Sequence, residues 1–432
     1  MIHRLACQFF LFLAILSVSA CANDVQGDNS PISTAKVDGF AMPALPAPAT
    51  DNTTTQLQPF SDWLTDFKTE AKSKGIQHST ILAATPYLTI NDTVLKLDQQ
   101  QPEFTQTFWT YLDKRLSEIR IQAGKLQTFR YQSLLDKIQK EYGLPPEILV
   151  SFWGLETNYG TYLGNFSTLE ALTTLAYNPR RSNFFRKELL AALRIIDRGN
   201  IEAKDMIGSW AGAIGQMQFM PTVYLKYALD ADHDNKADLW HSTEDALTSA
   251  AAYLKQAGWQ EGQPWMQEVI LPNGFDYSLA DGKTEMSLKY IKALGIQPTN
   301  GTNWQHNDDS SVILLLPAGH EGPAFVAWSN FKVIKRWNNS NNYAIAVGLM
   351  AQRLATDYRL SVKTPKDNKP WPKTFILQLQ TTLTARGYDT GGSDGWFGSR
   401  SMQALRNFQK DNGLPADGYP NNQTLKKLDL SL

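Results

Sequence analysis

The chain has 432 residues, enough for two or three domains and a sizeable hydrophobic core. Charged residues make up only 19% of it and the formal net charge is −1, so electrostatics give no case for binding nucleic acid. Aromatic residues are plentiful, and an aromatic face beside hydrogen-bonding groups suits a sugar ring, although most tryptophans in any protein belong to its core. Composition therefore leaves sugar recognition as an open hypothesis.

Residues 1–20 have the pattern of a secretory signal peptide. A basic start precedes an apolar run from Phe9 to Val18, which is too short to span a membrane. The segment VSAC, which ends at Cys21, resembles a bacterial lipobox, in which the cysteine is diacylated and becomes the new N-terminus. We therefore predict a signal peptide over residues 1–20 and a lipid anchor at Cys21. The alternative is an ordinary signal peptide cleaved nearby, with an incidental cysteine.

Cysteine usage agrees with a lipoprotein in an oxidising compartment. Cys7 would leave with the signal peptide and Cys21 would carry lipid, so the mature protein would have no thiol to oxidise. Ala22 stands where an aspartate would suggest retention in the inner membrane. The expected location is the periplasmic face of the outer membrane, with residues 21–57, rich in Pro, Ala, Thr and Asn, as a flexible tether.

Amphipathic helices dominate the sequence after residue 57. The first stripe begins at Phe60, and Gly75 sits where that helix would stop. Further helices are predicted over residues 109–121, 131–142, 146–156, 184–196, 246–257 and 344–354. The segments MQEVILP and SSVILLLPAG, between Trp265 and Val333, are typical of short strands. We predict a mainly α domain over residues 58–361 with a small β insertion.

A second domain follows a Pro- and Lys-rich linker over residues 362–373. Residues 374–432 are too few for a large core, and their pattern predicts a helix, a Gly-rich loop, a helix, a turn and a final helix. We expect a small three-helix domain.

The segment LVSFWGLETNYG places one ionisable residue, Glu156, on an apolar helix face. The preceding residues on that face are Leu149, Phe152 and Trp153. An apolar setting raises the pKa of a carboxyl group, which suits a general acid, and the nearby glycines, Gly154 and Gly160, would leave room for a ligand. The alternative is a buried structural glutamate that pairs with an arginine or a backbone amide.

A second cluster, SWAGAIGQMQFMP over residues 209–221, combines small residues with two amides. Small residues let the backbone approach a sugar, and the amides of Gln216 and Gln218 can bind hydroxyl or N-acetyl groups; the alternative is tight helix packing. Ser209 is a poor candidate for a nucleophile, because no His lies near it and its surroundings are not a nucleophile elbow. No HExxH motif or pair of cysteines indicates zinc.

The segments GLETNYG and SWAGAIGQMQFMPT resemble signatures of the membrane-bound lytic murein transglycosylase B family. The similarity extends upstream to FSDWLTDFKTEAKSKGI and downstream to RWNNSNNYAIAVGLMAQRL, so it covers about Phe60 to Leu354. It implies a mainly α fold, with a lysozyme-like helical catalytic domain that contains the small β insertion.

The resemblance also implies roles for individual residues. Glu156 matches the family's single catalytic acid and base. The residues that match groups binding the substrate or orienting the acid are Ser209, Gln218, Asn338, Tyr343, Tyr253, Arg180, Arg181 and Tyr111. Ser209 and Asn338 would orient Glu156, and the two arginines would meet peptide or lactyl carboxylates, unless they are simply solvated surface residues.

The reaction implied by this family needs one carboxyl group, whereas glycoside hydrolases ordinarily use two. Glu156 would protonate the glycosidic oxygen between N-acetylmuramic acid and N-acetylglucosamine. It would then take the proton of the muramoyl C6 hydroxyl, which closes on C1 to give a 1,6-anhydro end. Glu170 and Glu188 read as ordinary helix positions, so no second acid is indicated. We therefore expect a lyase of cell wall remodelling that acts on peptidoglycan as a monomer.

Two alternatives remain open at the level of sequence. A muramidase would need a second carboxyl group across from Glu156. A non-catalytic, wall-binding scaffold would have no need of Glu156 together with Ser209, Gln218 and Asn338.

The loop DADHDNKADLW resembles an EF-hand calcium loop. Positions 1, 3, 5 and 9 would be Asp230, Asp232, Asp234 and Asp238, with the Lys236 carbonyl at position 7. Two departures are Asn235 at the turn glycine and His241 at position 12, where a later acid, best Asp245 or otherwise Glu244, would close the loop. We expect no cofactor for the chemistry and at most a structural calcium ion; the alternative is a solvated acidic loop.

The last sixty residues resemble a peptidoglycan-binding domain of the three-helix type. The matching segments include DGWFG, FQ and DG, at residues 394–398, 408–409 and 417–418. Such modules usually direct an enzyme to the wall without taking part in its chemistry.

Overall fold

The structure, a computed structural model, describes residues 58–100, 106–366 and 368–431. The signal peptide, Cys21 and the tether that were predicted from the sequence lie outside these residues. Within the described ranges, no helix has both the length and the apolar character that a membrane span requires.

Seventeen α-helices form within the described residues. Thirteen of them make up a helical body: α1 (Phe60–Ser73), α2 (His78–Ala84), α3 (Asp92–Gln100), α4 (Phe108–Arg115), α5 (Glu118–Arg130), α6 (Gln132–Tyr142), α7 (Pro146–Thr157), α8 (Thr168–Tyr177), α9 (Ser182–Asp197), α10 (Pro221–Tyr227), α11 (Thr243–Gln256), α13 (Ser329–Trp337) and α14 (Asn341–Ala355). Helix α12 (Leu288–Ala293) packs in the separate core of the β insertion. The other three make up a C-terminal bundle: α15 (Lys373–Ala385), α16 (Ser399–Asp411) and α17 (Asn422–Lys427).

Capping residues explain one difference from the sequence prediction. The single helix expected over residues 109–121 is wrong, because α4 ends at Arg115 and α5 begins after Ser117. The Ser117 hydroxyl accepts a hydrogen bond from the Arg120 amide, which is the geometry of an N-cap. An N-cap residue has extended backbone angles, so it separates the two helices.

The β insertion is a five-stranded antiparallel sheet with the order β4-β6-β7-β3-β5. Its strands are β3 (Met266–Ile270), β4 (Met286–Ser287), β5 (Gln297–Pro298), β6 (Ser311–Leu315) and β7 (Ala324–Ala327), and a separate pair joins β1 (Phe166–Ser167) to β2 (Ile207–Gly208). The two strands predicted from the sequence are confirmed as β3 and β6. Alternate residues of β7 point to opposite faces, so Phe325 packs in the helical core and Val326 in a smaller core of the insertion.

Helix α7 lies at the centre of the helical core. Pro146 occupies its first turn, and every residue from Ile148 to Thr157 is buried. The helix ends at Asn158, whose φ of 50° is left-handed. Helix α14 packs along α7 and is itself buried from Tyr343 to Ala351. Two apolar helices therefore fix the position of Glu156, the buried acid of α7.

The C-terminal bundle has its own small core and contacts the β insertion. Asp417, whose side chain is fully buried, accepts hydrogen bonds from the backbone amide and the Nδ1 of His320, at 2.9 and 2.6 Å. Arg406 donates to the carbonyl of Ala280. Tyr419 packs against the core of the bundle and against the main helical core. Gly319 allows this approach, since a Cβ there would lie 2.7 Å from the Cβ of Tyr419.

Candidate active site

Glu156 lies in the last turn of α7 and is 1% exposed. Its Oε1 accepts two hydrogen bonds from α13 and α14. The hydroxyl of Tyr343 donates to it at 2.5 Å, and the indole N–H of Trp337 donates to it at 3.0 Å. A buried carboxyl group is thus oriented by two donors that are more than 180 residues away in sequence.

Tyr343 always acts as the donor in its hydrogen bond to Glu156. It stands in the first turn of α14, where the hydroxyl of Ser340 caps the helix by accepting from the Tyr343 amide. Burial, reinforced by the neighbouring Glu156, holds the pKa of Tyr343 well above its ordinary value. Its hydroxyl therefore keeps its proton and donates.

Trp337 belongs to an aromatic cluster at the end of α13. Its ring centroid lies 4.7 Å from that of Phe152, and 5.2 Å from those of Phe219 and Tyr253. Sequence reasoning did not select Trp337, although it directly precedes Asn338 within RWNNSNNY. No spacing rule connects it to α7, and only the tertiary fold reveals the contact.

Ser209 and Gln218 shape the backbone of the small-residue segment. The Ser209 hydroxyl accepts from the Ala213 amide at 3.0 Å. Gln218 has a φ of 49°, and its side-chain amide donates to the carbonyls of Leu163 and Gly215, each at 3.1 Å. Part of the polar character of this segment therefore serves its own tight packing.

The remaining aromatic and amide candidates are buried or half-buried. Tyr253 is half-buried, and its hydroxyl donates to the carbonyl of Arg336 at 2.9 Å. Asn338 is 3% exposed and follows the last residue of α13. Tyr111 is 3% exposed on α4, with the Arg115 guanidinium 5.2 Å from its ring centroid.

Arg180 and Arg181 share an acidic partner that the sequence did not indicate. Asp98 on α3 is 3% exposed. Its carboxylate accepts from the Nη1 of Arg180 at 3.2 Å and from the Nη2 of Arg181. Arg181 is itself buried, and burial lowers its pKa although Asp98 acts in the opposite direction. The interpretation of the two arginines as solvated surface residues therefore fails for Arg181.

Two glycines near Glu156 make room for protein and not for a ligand. A Cβ at Gly154 would lie 2.7 Å from Met350 Cε and from the Tyr159 hydroxyl. A Cβ at Gly160 would lie 2.7 Å from Gln216 Oε1. The expectation that these glycines leave space for substrate is wrong, because side chains of the core fill that space.

The two acids that read as ordinary helix positions are both engaged. Glu188 is 3% exposed and accepts from the amide and the hydroxyl of Thr222, at 2.9 and 2.7 Å. Burial raises its pKa. Glu170 accepts from the side chains of Asn91 and Thr89. Glu188 therefore ties α9 to the start of α10.

Three carboxylates of the acidic loop come together. Asp230, Asp232 and Asp245 each offer an oxygen within 4.8 Å of the others. Asp245 is buried and accepts from the amides of Ala231 and Asp238, at 2.7 and 2.8 Å. Oxygen donors of this kind are those that calcium prefers.

The other expected ligands of this loop lie outside that group. The Asp234 carboxylate accepts from the Lys236 amide, and the Asp238 carboxylate accepts from the amides of Trp240 and His241. Asn235 has a φ of 72°, so it adopts the left-handed conformation expected at the turn position.

Comparison with known proteins identifies the family. Residues 59–352, more than half of the chain, match the transglycosylase SLT domain family. The chain belongs to this family. Residues 373–428 match the putative peptidoglycan binding domain family. The protein is a lytic transglycosylase that acts on peptidoglycan.

Three relatives support this assignment. Membrane-bound lytic murein transglycosylase B of Escherichia coli (strain K12) is 33% identical over 275 residues, which are 61% of this chain and 74% of the relative. SltB3 from Pseudomonas aeruginosa has crystal structures in complex with NAG-NAM-pentapeptide and with NAG-anhNAM-pentapeptide. Each is 41% identical in sequence, with a TM-score of 0.81, and the match covers 86% of this chain and all of the SltB3 chain. The Escherichia coli lytic transglycosylase Slt35 in complex with calcium is 30% identical, covers 69% of this chain and 93% of its own, and has a TM-score of 0.60.

These findings confirm the main sequence predictions for the transglycosylase. The family, the mainly α fold with a small antiparallel sheet, and the C-terminal peptidoglycan-binding domain are as expected. The expected lyase chemistry agrees with the anhydro-muropeptide that SltB3 binds. A scaffold without activity and a hydrolase are not supported.

Proposed function

We propose that Glu156 is the single acid and base of this transglycosylase. It would act on the β-1,4 bond between N-acetylmuramic acid and N-acetylglucosamine. The observation that carries the proposal is the pair of hydrogen bonds from Tyr343 and Trp337 to Oε1 of a carboxyl group that is 1% exposed. A glutamate on the surface would not be held by two donors from different helices.

The reaction proceeds in two proton transfers at Glu156. First, the neutral carboxyl group gives its proton to the glycosidic oxygen while the bond from that oxygen to C1 breaks, which releases the 4-hydroxyl of N-acetylglucosamine. The resulting carboxylate then takes the proton of the muramoyl C6 hydroxyl, and O6 bonds to C1. Glu156 is again protonated, a 1,6-anhydro end has formed, and no water has been consumed.

Substrate binding falls to the residues implied by the family resemblance. Among them, Tyr253 lies in an aromatic cluster with Phe219 and Trp337, which the resemblance did not name. Aromatic faces suit sugar rings. Ser209, Gln218, Asn338 and Tyr111 would supply polar and aromatic contacts to the sugar and the acid. Arg180 and Arg181 would meet lactyl or peptide carboxylates, with Asp98 neutralising one of their two charges.

The decisive experiment is mass spectrometry of muropeptides that the soluble domain releases from purified peptidoglycan. We expect products lighter by one water than reducing muropeptides. Glu156→Gln keeps the shape of the side chain but removes the titrating proton, so activity should fall by about 10²- to 10⁴-fold with folding intact. Reducing ends would mean a hydrolase with a second acid, no release would mean a scaffold, and near wild-type activity of Glu156→Gln would reject Glu156 as the acid.

Location and domain organisation are part of the same proposal. A signal peptide (residues 1–20) and a tether (residues 21–57) would precede a catalytic domain (residues 58–361), a linker (residues 362–373) and a wall-binding domain (residues 374–432). The lipobox-like segment and the membrane-bound relative support a lipid anchor at Cys21 on the periplasmic face of the outer membrane. The monomer would bind peptidoglycan glycan strands.

We also propose a structural calcium ion at the acidic loop. The grouped carboxylates of Asp230, Asp232 and Asp245 fit its preference for oxygen ligands, and the relative Slt35 was crystallised with calcium. The further ligands expected from the sequence are Asp234, Asp238 and the Lys236 carbonyl. The ion would hold the loop in place and would supply no step of the reaction.

A further inference from the structure

Gln216 lies in the small-residue segment and joins that segment to two other parts of the fold. It is 5% exposed, and Gly215 and Gln218 beside it have φ angles of 71° and 49°. Sequence reasoning suggested that its amide could bind a sugar. Instead, both ends of the amide and both backbone polar groups bond to other protein groups.

One set of hydrogen bonds connects Gln216 to the helix that carries the acid. Its Oε1 accepts from the indole N–H of Trp153 at 3.0 Å, and its carbonyl accepts from the hydroxyl of Thr157 at 2.7 Å. Trp153 stands three residues before Glu156, and Thr157 stands one residue after it. The last turn of α7 is thus held on both sides of the acid.

The other set connects Gln216 to the segment that follows the acidic loop. The backbone N–H of Gln216 donates to the carbonyl of Leu239 at 2.7 Å, and its side-chain Nε2 donates to the carbonyl of Trp240 at 3.3 Å. The hydroxyl of Thr243, at the start of α11, donates to its Oε1 at 3.4 Å. Gln216 is therefore held in place by a segment that lies outside α7.

We propose that Gln216 is a positioning residue for Glu156, which acts through Trp153 and Thr157. The proposal rests on the assignment of Glu156 as the acid. General acid catalysis requires the carboxyl group to stay within hydrogen-bond reach of the glycosidic oxygen, and a displacement of about 1 Å can cost about 10²-fold in rate. Gln216 prevents such a displacement, because it ties the end of α7 to a separate segment through polar groups that are all hydrogen-bonded.

The test compares Gln216→Met with Gln380→Met on a short soluble glycan strand, so that binding to the wall does not enter. Methionine nearly preserves side-chain volume and removes both amide functions. Gln380 offers a matched control in the C-terminal bundle, where its Nε2 donates to Asp394 and to the Trp396 carbonyl and its Oε1 accepts from the Gly395 amide. Both variants should lose thermal stability.

The values of kcat and KM distinguish a role of Gln216 in positioning Glu156 from a role in stabilising the fold. We expect Gln216→Met to lower kcat about tenfold or more with KM within about twofold, while Gln380→Met leaves both unchanged. Thr157→Val removes the hydroxyl bond to the Gln216 carbonyl, together with the bonds of that hydroxyl to the Gly160 amide and the Trp153 carbonyl. It should lower kcat in the same way but less, and it decides the matter if Gln216→Met does not fold. Unchanged kcat in the folded variants would overturn the inference.

The activities of the wild type and of Glu156→Gln show whether a negative result concerns Gln216 or the proposed function. If the wild type forms anhydro ends and Glu156→Gln does not, the acid is established, and unchanged kcat in Gln216→Met counts against the role of Gln216 alone. If Glu156→Gln remains active, the assignment of the acid fails first.

Discussion

At the scale of single residues, the hydrogen bonds of Glu156 show how the fold orients a buried acid. The sequence left open whether a buried Glu156 would pair with an arginine or a backbone amide. In the structure, the Oε1 of Glu156 accepts from the neutral side chains of Tyr343 and Trp337. These donors belong to two different helices, α14 and α13, so both helices fix the direction of that oxygen.

Removing the hydrogen bond from Tyr343 to the Oε1 of Glu156 should lower kcat measurably. Tyr343→Phe removes the donor and leaves the ring in place, and a hydrogen bond to a charged group contributes about 1.5 to 3 kcal/mol. We therefore expect kcat to fall about 10- to 100-fold, as measured by release of anhydro-muropeptides.

A half-buried tyrosine, Tyr358, provides the control for this prediction. The hydroxyl of Tyr358 donates to Glu268 at 2.5 Å, away from α7, so Tyr358→Phe makes the same chemical change at another carboxylate. It should lower the melting temperature and leave kcat unchanged. An equal fall of kcat in both variants would show that Tyr343→Phe acts by destabilising the protein and not by changing the contacts of Glu156.

At the scale of elements, local pattern predicted α7 well but not what surrounds it. The helix was expected over residues 146–156 and runs from Pro146 to Thr157, because Pro146 and the apolar periodicity are local signals. Trp337 and Asp98 were missed, since each meets its partner through tertiary packing across about 80 residues or more. Gly160 was misread for the same reason, because Gln216 fills the space beside it only once the chain has folded.

In the acidic loop, three of the carboxylates expected from the sequence come together, those of Asp230, Asp232 and Asp245, and the loop carries a prediction about calcium. An ion that binds only the folded state raises its stability in proportion to the logarithm of its concentration above Kd. We expect calcium to raise the melting temperature of the wild type and a chelator to reverse the effect. Asp245→Asn should abolish the calcium-dependent rise, because Asp245 is the buried carboxylate of the group.

Asp281→Asn is the matched control for the calcium experiment. Asp281 also accepts from two backbone amides in a loop, those of Lys283 and Thr284, but it belongs to the β insertion. Its variant should keep the full calcium response. A calcium response in Asp245→Asn equal to that of the wild type would place the ion elsewhere or exclude Asp245 as a ligand.

At the scale of the whole molecule, a hydrogen-bonded pair of the half-buried His320 and the buried Asp417 joins the β insertion to the C-terminal bundle. Asp417 belongs to the DG segment by which the bundle was matched to its family, and the sequence offered no reason to pair it with His320. The hydrogen bond from His320 to Asp417 raises the pKa of His320. Burial raises the pKa of Asp417, but hydrogen bonds from His320, Tyr419 and Gln409 outweigh burial and leave it below its ordinary value.

These two shifts define a pH window for the contact. Because the pKa of His320 is raised on folding, its contribution to stability is fully present below its ordinary pKa of about 6.5 and is lost as pH rises through the raised value. Because the pKa of Asp417 is lowered, its contribution is present above its ordinary value of about 3.9 and is lost as pH falls through the lowered one. Arg406, Asp281 and Glu321 also lie close to the pair.

We therefore expect His320→Gln to destabilise the protein most between about pH 5 and pH 6, and progressively less above about pH 7. The measurement is the difference in melting temperature from the wild type across that range. His306→Gln, at a histidine of the same β insertion that bonds to Ser310, is the control for a change in total charge. A difference for His320→Gln that stays constant with pH would mean that the pair binds as a neutral imidazole to a carboxylate, and that the bundle is held mainly by the apolar contact of Tyr419.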